Sequence, residues 1–136
     1  MLVIALAACL ASCSNTLNFV PSTIVPGAKG NVKVNTDNNR NYTVKVNVRD
    51  LADPSLLADP KANYVVWMET TNNGTQNLGR LVTSHGLFSK TMRGSLTTVT
   101  PYTPIKFLIT AEDQADGQYP GSETILTSES NIRIGN

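Results

Sequence analysis

The feature that most constrains this chain is a strict alternation of apolar and polar residues in short runs. Tyr42, Val44, Val46 and Val48 alternate with Thr43, Lys45, Asn47 and Arg49. Successive side chains of an extended chain point to opposite faces, so this run reads as a strand with one buried and one wet face. Val32 and Val34 alternate with Lys33 and Asn35 in the same way, and the turn cluster Asp37–Asn41 between the two runs predicts a hairpin. Ile105, Phe107, Ile109 and Ala111 against Lys106, Leu108, Thr110 and Glu112 predict another strand. In Asn63–Thr70, Tyr64, Val66 and Met68 occupy one face and Val65 and Trp67 the other, which predicts a central strand covered on both sides. Shorter runs follow at Leu17–Val20, Leu78–Thr83, Leu87–Val99, Glu123–Thr127 and Asn131–Ile134, and no long segment repeats every 3.6 residues. The expected fold is all-β, an Ig-like β-sandwich of about seven to nine short antiparallel strands. The bridged cysteine pair of antibody domains is absent, and Trp67 is expected in the core between the sheets.

Punctuation residues refine this outline. Asn72-Asn73-Gly74-Thr75 predicts a hairpin with a type I′ turn, because Asn-Gly tolerates positive φ. The tetrapeptide Leu-Ala-Asp-Pro occurs at Leu51 and again at Leu57; Asp53 is expected to cap a helical turn that starts at Pro54. Gln114–Gly121 reads as a loop ending in Tyr-Pro-Gly.

The N-terminus reads as an address. Met1–Leu10 is apolar and uncharged, but a bilayer span takes about 20 such residues. A short apolar run followed by small residues is the pattern of a secretory signal. Leu10-Ala11-Ser12-Cys13 resembles the bacterial lipobox, which implies a diacylglyceryl group on the Cys13 thiol and cleavage that makes Cys13 the first residue. Leu6-Ala7-Ala8-Cys9 fits the same pattern but leaves only eight residues for the apolar run. No Lys or Arg precedes that run, although signal peptides carry one; a start upstream of Met1 would supply it. With Cys9 removed and Cys13 lipidated, no cysteine remains for a disulfide, for catalysis or for a metal. The expected organisation is a signal peptide at 1–12, a lipid-anchored tether at 13–29 with an edge strand at Leu17–Val20, and the sandwich at 30–136. The expected location is extracytoplasmic and membrane-anchored, at the outer membrane or the periplasmic face. Ser14 after Cys13, where Asp would favour inner-membrane retention, argues for export outward.

Charge narrows the partners. Eleven Lys and Arg stand against ten Asp and Glu, a formal net charge of +1, and no basic stripe shows along the sequence. Nucleic acid is therefore not expected as a partner.

Two blocks carry a family resemblance. The first is Tyr64-Val65-Val66-Trp67-Met68, then Asn73-Gly74, then Leu78-Gly79-Arg80-Leu81. The second is Phe107-Leu108-Ile109-Thr110-Ala111-Glu112, then Tyr119-Pro120-Gly121-Ser122, then Ile125-Leu126. Their order resembles the extracytoplasmic C-terminal domain of RskA-type anti-sigma factors, and also small Bacteroidetes-type lipoproteins of unassigned function. The resemblance covers about Tyr64–Thr127. It implies a similar sandwich outside the cytoplasm, with Trp67 in the core, Gly79 at a tight backbone approach and Pro120 in a turn. It implies no catalytic residues. The cytoplasmic helical domain and membrane span through which such factors act have no counterpart here, so sigma-factor binding does not transfer.

The residues offer little catalytic chemistry. His85 is the one histidine, next to Ser84 and Gly86, with Ser89 nearby and no nucleophile elbow; it reads as a loop residue. Asp37-x-Asn39-x-Asn41 copies the start of a calcium loop, but Tyr42 and Val48 stand where Gly and Glu are required, so a turn is expected. Glu112, Asp113 and Asp116 form an oxygen-rich cluster that could take calcium, with solvated loop charges the commoner outcome. Tyr102 and Tyr119, each beside a proline, are the candidate exposed rings for a ligand such as a glycan. No metal or other cofactor is implied. The expected function is a non-enzymatic, lipid-anchored envelope module with an envelope protein or a glycan as partner; the alternative is a carbohydrate- or other ligand-binding module at the cell surface.

Overall fold

A computed structural model describes residues 14–121 and 123–130. Cys13, the signal-like segment and the run Asn131–Ile134 lie outside them. The described chain is all-β, with nine strands: β1 (Ser14–Val20), β2 (Lys29–Thr36), β3 (Tyr42–Leu51), β4 (Asn63–Thr70), β5 (Thr75–Arg80), β6 (Val82–His85), β7 (Met92–Thr100), β8 (Pro104–Glu112) and β9 (Thr124–Ser128). All pair antiparallel in the continuous order β5-β4-β8-β9-β1-β2-β3-β7-β6.

That ribbon folds into a sandwich because two stretches of chain change sheets. The first five residues of β1 pair with β2, from Ser14↔Asn35 to Asn18↔Asn31, whereas Phe19 and Val20 pair with Ser128 and Thr127 of β9. The second crossing is at Leu81. Arg80 pairs with β4, Val82 pairs with β7, and the buried Leu81 between them donates its N–H to Tyr64 O at 2.9 Å. The result is a first sheet, β1-β2-β3-β7-β6, packed on a second, β5-β4-β8-β9. Set aside β1, and the orders β2-β3-β7-β6 and β9-β8-β4-β5 are those of immunoglobulin strands ABED and GFCC′. The additional strand β1 seals the A–G side.

The core between the sheets follows from the alternation. Val32, Val34, Val44, Val46 and Val48 face Tyr64, Val66, Met68, Phe107 and Ile109 in one buried cluster. Trp67 is fully buried but lies outside this cluster, on the outer face of the second sheet. Its neighbours Val66 and Met68 already fill the inner face, so the pleat turns Trp67 outward. Burial comes from the β8–β9 loop, whose Gly117 passes over the ring.

Other local expectations shift. The expected strand at Leu17–Val20 is longer, Ser14–Val20, and it borders both sheets in turn, pairing with β2 along Ser14–Asn18 and with β9 at Phe19 and Val20. The β4–β5 connection is not a two-residue type I′ turn, since only Gly74 takes positive φ (66°). Thr70 closes a four-residue loop instead: its N–H and its hydroxyl both reach Gly74 O, and its Oγ1 accepts the N–H of Asn73. Gly79 is demanded by its φ of 123° at a bulge rather than by a tight approach, because a Cβ there would sit at an ordinary 3.8 Å from Leu96. Leu87 and Phe88 are not in a strand but at the exposed tip of the β6–β7 hairpin, where Ser89 N–H closes a turn on Gly86 O. Asp53 caps a single 3-10 turn at Pro54–Leu56, accepting from the N–H of Ser55 at 2.9 Å.

Candidate functional site

The register separates the two aromatic candidates. Tyr102 precedes β8 at the end where Pro104 pairs with Thr70, and Tyr119 follows β8 at the end where Glu112 pairs with Asn63. Nine residues of strand, roughly 30 Å, lie between these ends. Tyr102 is half-buried against the core, while Tyr119 is 81% exposed. They form no common platform.

The oxygen-rich cluster is also dispersed by its partners. Both carboxylate oxygens of Glu112 accept the N–H of Gly121, which ties the far end of the β8–β9 loop to its start. Asp113 pairs with Lys61 at 3.7 Å, a lysine shared with Asp59 at 3.4 Å. These partners lift the Lys61 ammonium above its usual range, with the Asp59 hydrogen bond first. Among the described residues no three acidic, histidine or cysteine side chains come together to hold a metal ion. Asp37 acts as a turn former: its Oδ1 accepts from the N–H groups of Asn39 and Asn41 at 2.8 and 2.9 Å. Ser84 and His85 are neighbours in β6, so they point to opposite faces, and Ser89 engages Thr91 at 2.9 Å.

One surface feature among the described residues was not foreseen. The outer face of the first sheet is hollowed into a groove of about 730 Å³ that touches all five strands. Its shape has a local cause. Gly30 and Gly94 flank Val48 in the register, and a bulge follows at Arg49–Asp50, where Asp50 takes a φ of 56°. A Cβ on Gly30 would fall 2.3 Å from Asn47 O, so only glycine permits this approach. Bulges and strand glycines bend a sheet where they occur.

The pleat then sorts the outward residues into rows. Asn18, Asn31, Asn47 and Ser95 pair in sequence across β1, β2, β3 and β7. Two residues along each strand on one side, Lys29 pairs with Arg49, and Arg93 stands on β7 beyond the bulge. Two residues along on the other side, Lys33 pairs with Lys45. All five cations are exposed. The one acid in these five strands, Asp50, accepts from Thr91 Oγ1 at 3.2 Å. A neutral amide row thus lies between two basic rows, each about 7 Å away. Like charges directly opposite one another destabilise a sheet, and this face carries two such pairs, Lys29↔Arg49 and Lys33↔Lys45.

Comparison with protein-family models, with curated proteins and with solved structures returned no match for this chain. No helix among the described residues is long and apolar enough to cross a membrane.

Proposed function

We propose that this chain is a non-enzymatic binding module of the bacterial envelope, anchored by a lipid on Cys13 and working through the outer face of its first sheet. The observation that carries the proposal is the position of β1. It begins at Ser14, the residue after Cys13, and is paired with β2 from that first residue, then with β9 at Phe19 and Val20. A lipid on Cys13 would therefore meet a rigid sheet rather than a free tether. The end of the sandwich bearing the 37–41, 71–74 and 101–103 loops would lie toward the bilayer. Asn18, where the groove begins, is four residues further along β1, roughly 13 Å from Ser14. The groove would then lie on the side of the sandwich at about that distance from the anchor, available to a partner.

The lipobox-like residues and the sequence likeness to extracytoplasmic anti-sigma-type domains support the same compartment. The anchor is tested by metabolic labelling with palmitate. Label is expected in the wild-type chain and absent from Cys13→Ala. Label retained by Cys13→Ala would overturn the assignment to this cysteine, and an unlabelled wild type would overturn the anchor itself.

A further inference from the structure

We propose that the groove on the outer face of the first sheet binds an acidic polysaccharide, a chain of uronate-type sugars. The inference rests on the binding-module reading of this face but not on the lipid. Three observations converge on this ligand.

The first is the central row. Side-chain amides of Asn18, Asn31 and Asn47 each offer two donors and an acceptor, and they stand side by side on neighbouring strands. That pattern suits the vicinal hydroxyls of a sugar. The second is the pair of basic rows on either side of it. Arg49 and Arg93 can grip a carboxylate through two parallel N–H bonds and Lys29 adds compact positive charge in the groove, while Lys33 and Lys45 stand outside its lining on the same face. Against the five cations of this face stands one strand acid, Asp50, which accepts a hydrogen bond from Thr91, so the face keeps a positive surplus complementary to a polyanion. The third is shape. A trough crossing five strands takes an extended chain, and the residues lining it include no aromatic ring. Recognition here runs through hydrogen bonds and charge rather than stacking.

Leu87 and Phe88, 97% and 100% exposed on the adjoining hairpin, make an anionic lipid surface the rival occupant. The test is calorimetric titration of the full chain carrying Cys13→Ala with alginate oligosaccharides at about 0.15 M salt, where exposed charges are screened beyond about 8 Å. Saturable binding is expected, with none to dextran. Lys29→Gln with Arg49→Gln should weaken it about tenfold or more, the size of one charge-assisted hydrogen bond. Arg80→Gln with Lys106→Gln removes equal charge from the second sheet and should change affinity by less than about twofold at this ionic strength. Asn47→Asp keeps the side chain's shape and should also weaken binding, which separates recognition from any loss of fold. An absence of binding to alginate, an equal loss in the Arg80/Lys106 variant, or tighter binding to phosphatidylglycerol vesicles or to an oligonucleotide would each overturn the proposal.

Discussion

Single residues in this fold do work that their neighbours in sequence do not announce. Tyr64 is 1% exposed, and its hydroxyl donates to Ala52 O at 2.7 Å. Burial, with a smaller contribution from the negative charge of Asp53, pushes its phenol up from 10.0 to about 12. A folded-state pKa above the unfolded value stabilises the fold fully below the unfolded pKa and ceases to do so as pH passes the folded one. Stability should therefore fall as pH rises from about 10 to about 12, and Tyr64→Phe should flatten that part of the profile. Chemical denaturation across this range checks it; an unchanged slope in Tyr64→Phe would mean that another group sets the alkaline limit. Trp67 shows how far one residue can be read from sequence. Its burial was legible because Asn63–Thr70 is apolar on both faces. Its place was not, since the loop that covers it starts 46 residues later, at Asp113, and contributes backbone rather than an apolar signature.

At the scale of elements, the β8–β9 loop is a cover held at identifiable points. Asn77 donates through Nδ2 to Ala115 O and Gly117 O, both at 2.9 Å, while its Oδ1 accepts the N–H of Gly79 at 2.8 Å. Beneath the loop, Trp67 Nε1 donates to Thr110 Oγ1 at 2.7 Å. Asn77→Ala removes both ties from strand to loop. Because Trp67 is the chain's one tryptophan, acrylamide quenching of its fluorescence reports the cover directly. Quenching should rise clearly in Asn77→Ala while the β-sheet circular dichroism stays as in wild type; unaltered quenching would show that Asn77 does not hold the loop down. Strands with clean alternation, β2, β3 and β8, could be drawn from sequence nearly to their ends. The sheet-changing corners could not. At Leu81 the chain stays extended through the crossing, so no turn residue marks it, and Asn18–Phe19 reads as one uninterrupted strand.

For the molecule as a whole, a near-neutral net charge hides a segregated one. Lys29, Lys33, Lys45, Arg49 and Arg93 are spread over 64 positions of sequence (93 − 29) and come from three strands. No linear stripe exists for the eye to find; only the register β2-β3-β7 assembles them. The fold class was legible because it depends on periodicity within each strand, whereas the working face depends on which strands are neighbours. Repulsion across Lys29↔Arg49 and Lys33↔Lys45 has a measurable consequence. Salt screens exposed charges, so Tm should rise as sodium chloride increases from about 0.01 M to about 0.5 M. Lys33→Gln should raise Tm at low salt and reduce that dependence. A Tm that falls with salt would mean that attractive pairs dominate the surface. The measurement that bears most directly on the account is mapping of amide chemical shifts during titration with a uronate oligosaccharide. The account predicts perturbations along residues 29–33, 45–49 and 93–95, on the outer face of the first sheet. Perturbations gathered instead around Tyr102 or Tyr119 at the sandwich ends, or none at all, would contradict it.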